Sequence, residues 1–116
     1  MIEHLTKEVF EQKVANFSNS PDWKFEGEKP IILDFTAKWC SPCKVLMPIL
    51  EEIKIKYGEK IDFYKVDIED EIELTTMFRI KGVPTLVFFP VGKNCFFNSG
   101  AMPLGFLKKI IEEELF

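Results

Sequence analysis

Three consecutive segments in the first half of the chain leave little freedom for its fold. Ile31 to Thr36 is an apolar run of strand length. Ser41 to Tyr57 carries Leu46, Ile49, Leu50, Ile53 and Tyr57 at helical spacing, with Gly58 placed to stop the helix. Pro48 lies inside that helix and should kink it. Ile61 to Ile68 returns to β formers, Phe63 and Val66 among them. Strand, helix and strand in this order make a βαβ unit, so the two strands run parallel with a right-handed crossover.

The flanks extend the pattern. Thr6 to Phe17 reads as a helix, with Thr6 as its N-cap and Phe10, Val14 and Phe17 on one face. Ser18 to Pro30 reads as an extended loop, which Trp23 and Phe25 pin to the body. Asp70 to Phe78 is a short helix, and Gly82-Val83-Pro84 breaks the chain before a third strand, Thr85 to Phe89. A turn at Pro90-Val91-Gly92-Lys93 leads to a fourth strand, Cys95 to Asn98, forming a hairpin. After Gly100, Pro103 opens a last helix whose face is Leu104, Leu107, Ile111 and Leu115. The sum is an α/β fold, a central mixed β-sheet with helices on both faces, within one domain over residues 1–116.

Composition narrows the function. The chain has 116 residues and a net charge of −4, so it shows no basic footprint for nucleic acid. Its apolar runs are too short to span a bilayer. Three cysteines, Cys40, Cys43 and Cys95, do not make a secreted disulfide framework. The start, Met1-Ile2-Glu3-His4, has neither the basic nor the apolar stretch of a signal peptide. The simplest expectation is a cytoplasmic monomer, or an exported protein if a leader has been removed.

The chemistry centres on Trp39-Cys40-Ser41-Pro42-Cys43-Lys44, where a strand ends and a helix begins. The first backbone N–H groups of a helix lack partners and its dipole is positive there. Both stabilise a thiolate and enlarge the population of nucleophile. Cys40 is expected exposed at the helix tip, with Cys43 one turn on and within bonding reach. Pro42 fits because first-turn N–H groups have no helical partner. The competing reading, half of a zinc site, needs four ligands. Only Cys95 and His4 remain to supply them, each without ligand spacing.

Asp34 interrupts the apolar run Ile31-Ile32-Leu33-Asp34-Phe35, and strand alternation puts it on the face of Ile32, near the base of the cysteine helix. A buried carboxyl there is expected to have a raised pKa and to exchange a proton with the buried thiol, the alternative being an aspartate that caps a loop. Val83-Pro84 is either an ordinary start to the third strand or a cis peptide shaping a site, and periodicity does not choose between them.

Taken in order and spacing, several stretches resemble thioredoxin over nearly the whole chain. They are Leu33 through Lys44, the helix with Pro48, Lys65-Val66-Asp67, Gly82-Val83-Pro84-Thr85-Leu86, Gly92 and Gly100. The resemblance implies a thiol–disulfide oxidoreductase that reduces protein disulfides, with Cys40 attacking and Cys43 resolving the mixed disulfide. It implies that Asp34 helps deprotonate Cys43 through water, that Lys65 tunes Asp34, and that Pro84 is a cis-proline facing the cysteines. A substrate segment would pair with the backbone at Val83. Trp39, Ile68, Val83, Gly100 and Ala101, with Ser41 and Pro42, would form the substrate surface. No metal and no bound cofactor is implied. The redox-active disulfide Cys40–Cys43 would receive electrons from a separate NADPH- and flavin-dependent reductase.

The sequence departs from the family pattern in places. Ser41 replaces Gly, Thr36 stands where many members have Trp, the loop Ser18–Pro30 is longer, and Cys95 lies outside the pattern, expected as a small buried or half-buried filler instead of a redox residue. Two other functions fit the same fold. One is an exported oxidant, isomerase or pathway-specific reductase, distinguished by a leader and by its reduction potential. The other is a non-catalytic binding or scaffold subunit.

Overall fold

The computed structural model describes residues 1–116. Its elements are β1 (Glu3–His4), α1 (Lys7–Lys13), β2 (Ile31–Thr36), α2 (Ser41–Tyr57), β3 (Asp62–Asp67), α3 (Ile72–Met77), β4 (Thr85–Phe89), β5 (Phe96–Ser99) and α4 (Leu104–Ile110). A π-type turn over Ile111–Leu115 continues α4. The five strands form one sheet in the order β1-β3-β2-β4-β5. β1 and β2 run parallel to β3, β4 runs antiparallel to β2, and β5 antiparallel to β4. No helix is long and apolar enough to cross a membrane.

Alternation along the central strands builds two cores. Ile32 of β2 with Leu86 and Phe88 of β4 face Leu46, Leu50 and Ile53 of α2 and Leu107 and Ile111 from the C-terminal helix. Ile31, Leu33 and Phe35, with Val87 and Phe89, face the other way onto Phe10, Val14, Leu74 and Phe78. Strands covered on both faces read as continuous apolar runs, which is why β2 and β4 stand out in the sequence.

Several expectations needed correction, the strand bounds Ile61–Ile68 and Cys95–Asn98 among them, which are Asp62–Asp67 and Phe96–Ser99. The helix from Thr6 stops at Lys13 instead of running to Phe17, although Thr6 caps it by accepting the Val9 N–H at 3.2 Å. Asn16 then takes φ +56°, and Phe17 reaches the second core by a turn of chain that mimics helical spacing. The helix from Asp70 to Phe78 is confined to Ile72–Met77. A two-residue strand, β1, was not foreseen; it is too short to show a period of its own and exists through its pairing with β3.

The long loop before β2 is fastened at both of its aromatic residues. Phe25 is buried, and its backbone exchanges hydrogen bonds with the β4–β5 turn, donating to Lys93 and accepting from Gly92. Trp23 packs edge-on to Phe17 and Phe89. Asn94 completes the attachment, its Nδ2 donating to the carbonyls of Ser20, Pro21 and Trp23. Asn94→Ala is expected to cost about 1 kcal/mol, read as a lower denaturation midpoint with an unchanged slope.

Candidate active site

The C-terminal end of β2 delivers the chain to α2, and Cys40 sits at the hinge. Its N–H donates to Ala37, and its sulfur caps α2 by accepting the Cys43 N–H at 3.2 Å. Cys40 and Cys43 are bonded to each other, with Cα atoms 5.3 Å apart. The expected exposure of Cys40 is not observed. Cys40 is 4% exposed and Cys43 2%, because Ala37, Ile68 and Val83 pack around the bonded pair. What the helix tip presents to solvent is Trp39, 64% exposed, with Ser41 and Pro42 beside it.

The peptide between Val83 and Pro84 is cis. Its loop is braced from both sides. The Thr85 hydroxyl donates to the Gly82 carbonyl at 2.7 Å, and the Gly100 N–H donates to the Pro84 carbonyl at 2.8 Å. Gly100 makes that bond at φ +90°, a conformation a side chain would strain. Gly100 and the exposed Ala101 thereby lie next to the cis-proline.

Asp34, in the strand that leads to the cysteine helix, is 1% exposed, and its two carboxyl oxygens accept no hydrogen bond from the protein. Burial pushes its pKa up from 3.8 to about 7, and the nearby Lys65 charge opposes the shift. Lys65 is directly opposite Asp34 in the β2–β3 register, but the two do not form an ion pair. The strand positions thus bring Asp34, Lys65, the two cysteines, Val83 and Pro84 to one end of the sheet.

Cys95 belongs to the other end. It precedes β5, whose Phe96 pairs with Phe88, while the site end of the same pair is Thr85 opposite Ser99. It is half-buried against the second core, and burial pushes its thiol pKa up. Of the residues touching the cysteines, sequence reasoning gave no role to Ala37, which sits between β2 and the helix in neither period. The chain gathers no group of three or more His, Cys, Asp or Glu side chains able to hold a metal.

A bonded pair at a helix start accepts two electrons when a thiolate opens it and, once reduced, donates two electrons to another disulfide, without a cofactor of its own. That chemistry defines a thiol–disulfide oxidoreductase. The family model for thioredoxin matches residues 1–113. The chain is 45% identical over 87 residues to thioredoxin of Borreliella burgdorferi, covering 75% of this chain and 74% of that one. It is 37% identical over 103 residues to chloroplastic thioredoxin Y of Oryza sativa, covering 89% of this chain and 61% of that protein. In structure it matches chloroplastic thioredoxin z with a TM-score of 0.80 at 27% identity, over 97% of this chain and 92% of that one. The chain belongs to the thioredoxin family, and its redox-active pair is Cys40–Cys43.

Proposed function

We propose that the chain, acting as one domain and as a monomer in the cytoplasm, is a general reductase of protein disulfides. The observation that carries this reading is the bonded Cys40–Cys43 pair at the start of α2, with the strand that leads into that helix carrying a buried carboxyl, Asp34, without a hydrogen-bond partner. In the reduced chain the Cys40 thiolate attacks one sulfur of a substrate disulfide and releases the other as a thiol. Cys43 then attacks the Cys40 sulfur, frees the second substrate thiol and closes the pair. Asp34 takes the Cys43 proton, a role suited to a carboxyl whose pKa is about 7. Lys65 limits how far that pKa rises.

Substrate docks against Trp39, Ser41, Pro42, Ile68, Val83, Gly100 and Ala101, with its backbone paired to that of Val83 beside Pro84. A separate NADPH- and flavin-dependent reductase restores the dithiol. An unpaired third thiol, Cys95, suits a reducing compartment.

The resolving role is tested with Cys43→Ser. That variant is expected to accumulate a covalent mixed disulfide through Cys40, visible as an added substrate mass that dithiothreitol removes; no adduct means Cys43 does not resolve. Asp34→Ala is expected to slow turnover several-fold near pH 7 and progressively less toward pH 9, where Cys43 ionises without help. An equal loss across that range would remove Asp34 from the proton path.

A further inference from the structure

The molecule's larger clefts lie away from the cysteines. One of about 320 Å³ opens beside Phe25 and Asp62, at the start of β2. A cavity of about 250 Å³, however, borders the dithiol itself, and Cys43 forms part of its wall. Thr36 and Ala37 line it where β2 ends, and these small side chains leave the space open.

The charges around this cavity oppose those of the chain as a whole. Lys38, Lys44 and Lys65 line it together with His4, against a single carboxylate, Asp67. Asp67 is buried and already accepts the Glu69 N–H at 2.8 Å. None of the three lysines is engaged in an ion pair. The protein carries a net charge of −4, so this is a local reversal of sign beside its reactive sulfurs. Lysines bordering an open groove raise the local level of an anion, an effect that salt screens. The cavity also lies on the β1–β3 side of β2, whereas Val83 and Pro84 lie on the β4 side. A ligand can enter it without occupying the backbone of Val83.

We propose that this cavity receives the anionic end of a small disulfide, one whose substituents carry carboxylates, and that the chain reduces such disulfides in preference to neutral or cationic ones of similar size. The inference rests on the dithiol mechanism proposed above. The Cys40 thiolate attacks one sulfur of R–S–S–R and expels the first R–S⁻. The remaining R group, now bonded to Cys40, settles its carboxylate among Lys38, Lys44 and Lys65. Cys43 then attacks the Cys40 sulfur and expels the second R–S⁻. The dithiol loses two electrons and two protons, and two R–SH are formed.

The test uses the reduced full-length chain and three small disulfides: 3,3′-dithiodipropionate, hydroxyethyl disulfide and cystamine, which are anionic, neutral and cationic. Rates of thiol release are compared between the wild-type chain and the double variant Lys38→Gln, Lys44→Gln. The variant is expected to lower the anionic-to-cationic rate ratio about fivefold while leaving the neutral disulfide unchanged. Comparing ratios cancels the differing reactivity of the three compounds. About 0.5 M salt is expected to reduce the wild-type ratio similarly. A ratio unmoved by the double variant overturns the proposal. Thr36→Trp, which fills the cavity and keeps every lysine, is expected to slow the anionic disulfide selectively; an unchanged rate in a folded variant would overturn the cavity as the binding place. A chain that reduces the neutral disulfide without discriminating charge loses only this inference. A chain that reduces none of the three loses the dithiol mechanism as well.

Discussion

Cys40→Ser lowers the reduction of a protein disulfide by at least about 1000-fold, to the background set by the dithiothreitol that recycles the protein. A serine hydroxyl is essentially un-ionised at neutral pH and does not displace a thiolate from a disulfide. No other sulfur can take its place. Cys43 lies inside the first turn of α2, behind the capping position that Cys40 holds, and Cys95 is half-buried at the opposite end of the β4–β5 pair. The substitution keeps nearly the same shape, and a serine oxygen caps a helix as well as the sulfur that now accepts the Cys43 N–H. The circular dichroism spectrum is therefore expected to be unchanged. Initial rates in excess dithiothreitol, corrected for the reductant alone, check the prediction. Retention of even a tenth of the activity would move the nucleophile elsewhere.

Asp34→Asn makes the protein more stable at neutral pH, by an amount that grows with pH. A carboxyl with a pKa of 3.8 when unfolded and about 7 when folded takes up a proton on folding anywhere between those values. The folded state is then favoured less and less as pH rises from about 4 to about 7, after which the penalty is constant. The interval corresponds to about 4 kcal/mol, the upper end of the expected gain above pH 7. Asparagine is as polar as the protonated acid but never ionises, so near pH 4 the variant and the parent should match. Denaturant titrations at pH 4, 6 and 8 test this. A stability difference that does not change with pH would mean that Asp34 is not buried as a charge. The predicted combination, a stabler protein that turns over more slowly near pH 7, is what a buried group retained for its chemistry produces.

Much of this protein was determined by its sequence alone. The bounds of β2, α2 and β4 follow from apolar runs with the right period between residues that interrupt it, and the structure reproduces them residue for residue. The candidate site was legible for the same local reason. A Cys-x-x-Cys between a strand and a helix lies at the helix start, and a lone Asp within the apolar run Ile31–Phe35 is buried with it. Tertiary structure decided the rest. It ended α1 at Lys13 and carried Phe17 into the core by a left-handed turn at Asn16, because an aromatic cluster accepts a side chain whichever backbone delivers it. It created β1 from two residues that have no strand signal except a partner in β3. It buried Cys40, which the helix tip alone would leave exposed, by folding Ile68 and Val83 over it from distant parts of the chain. It also set three lysines around the cavity beside Cys43. Periodicity and capping act within a few residues and can be read along the chain, whereas burial, strand pairing and the field at a cavity depend on residues that meet only after folding.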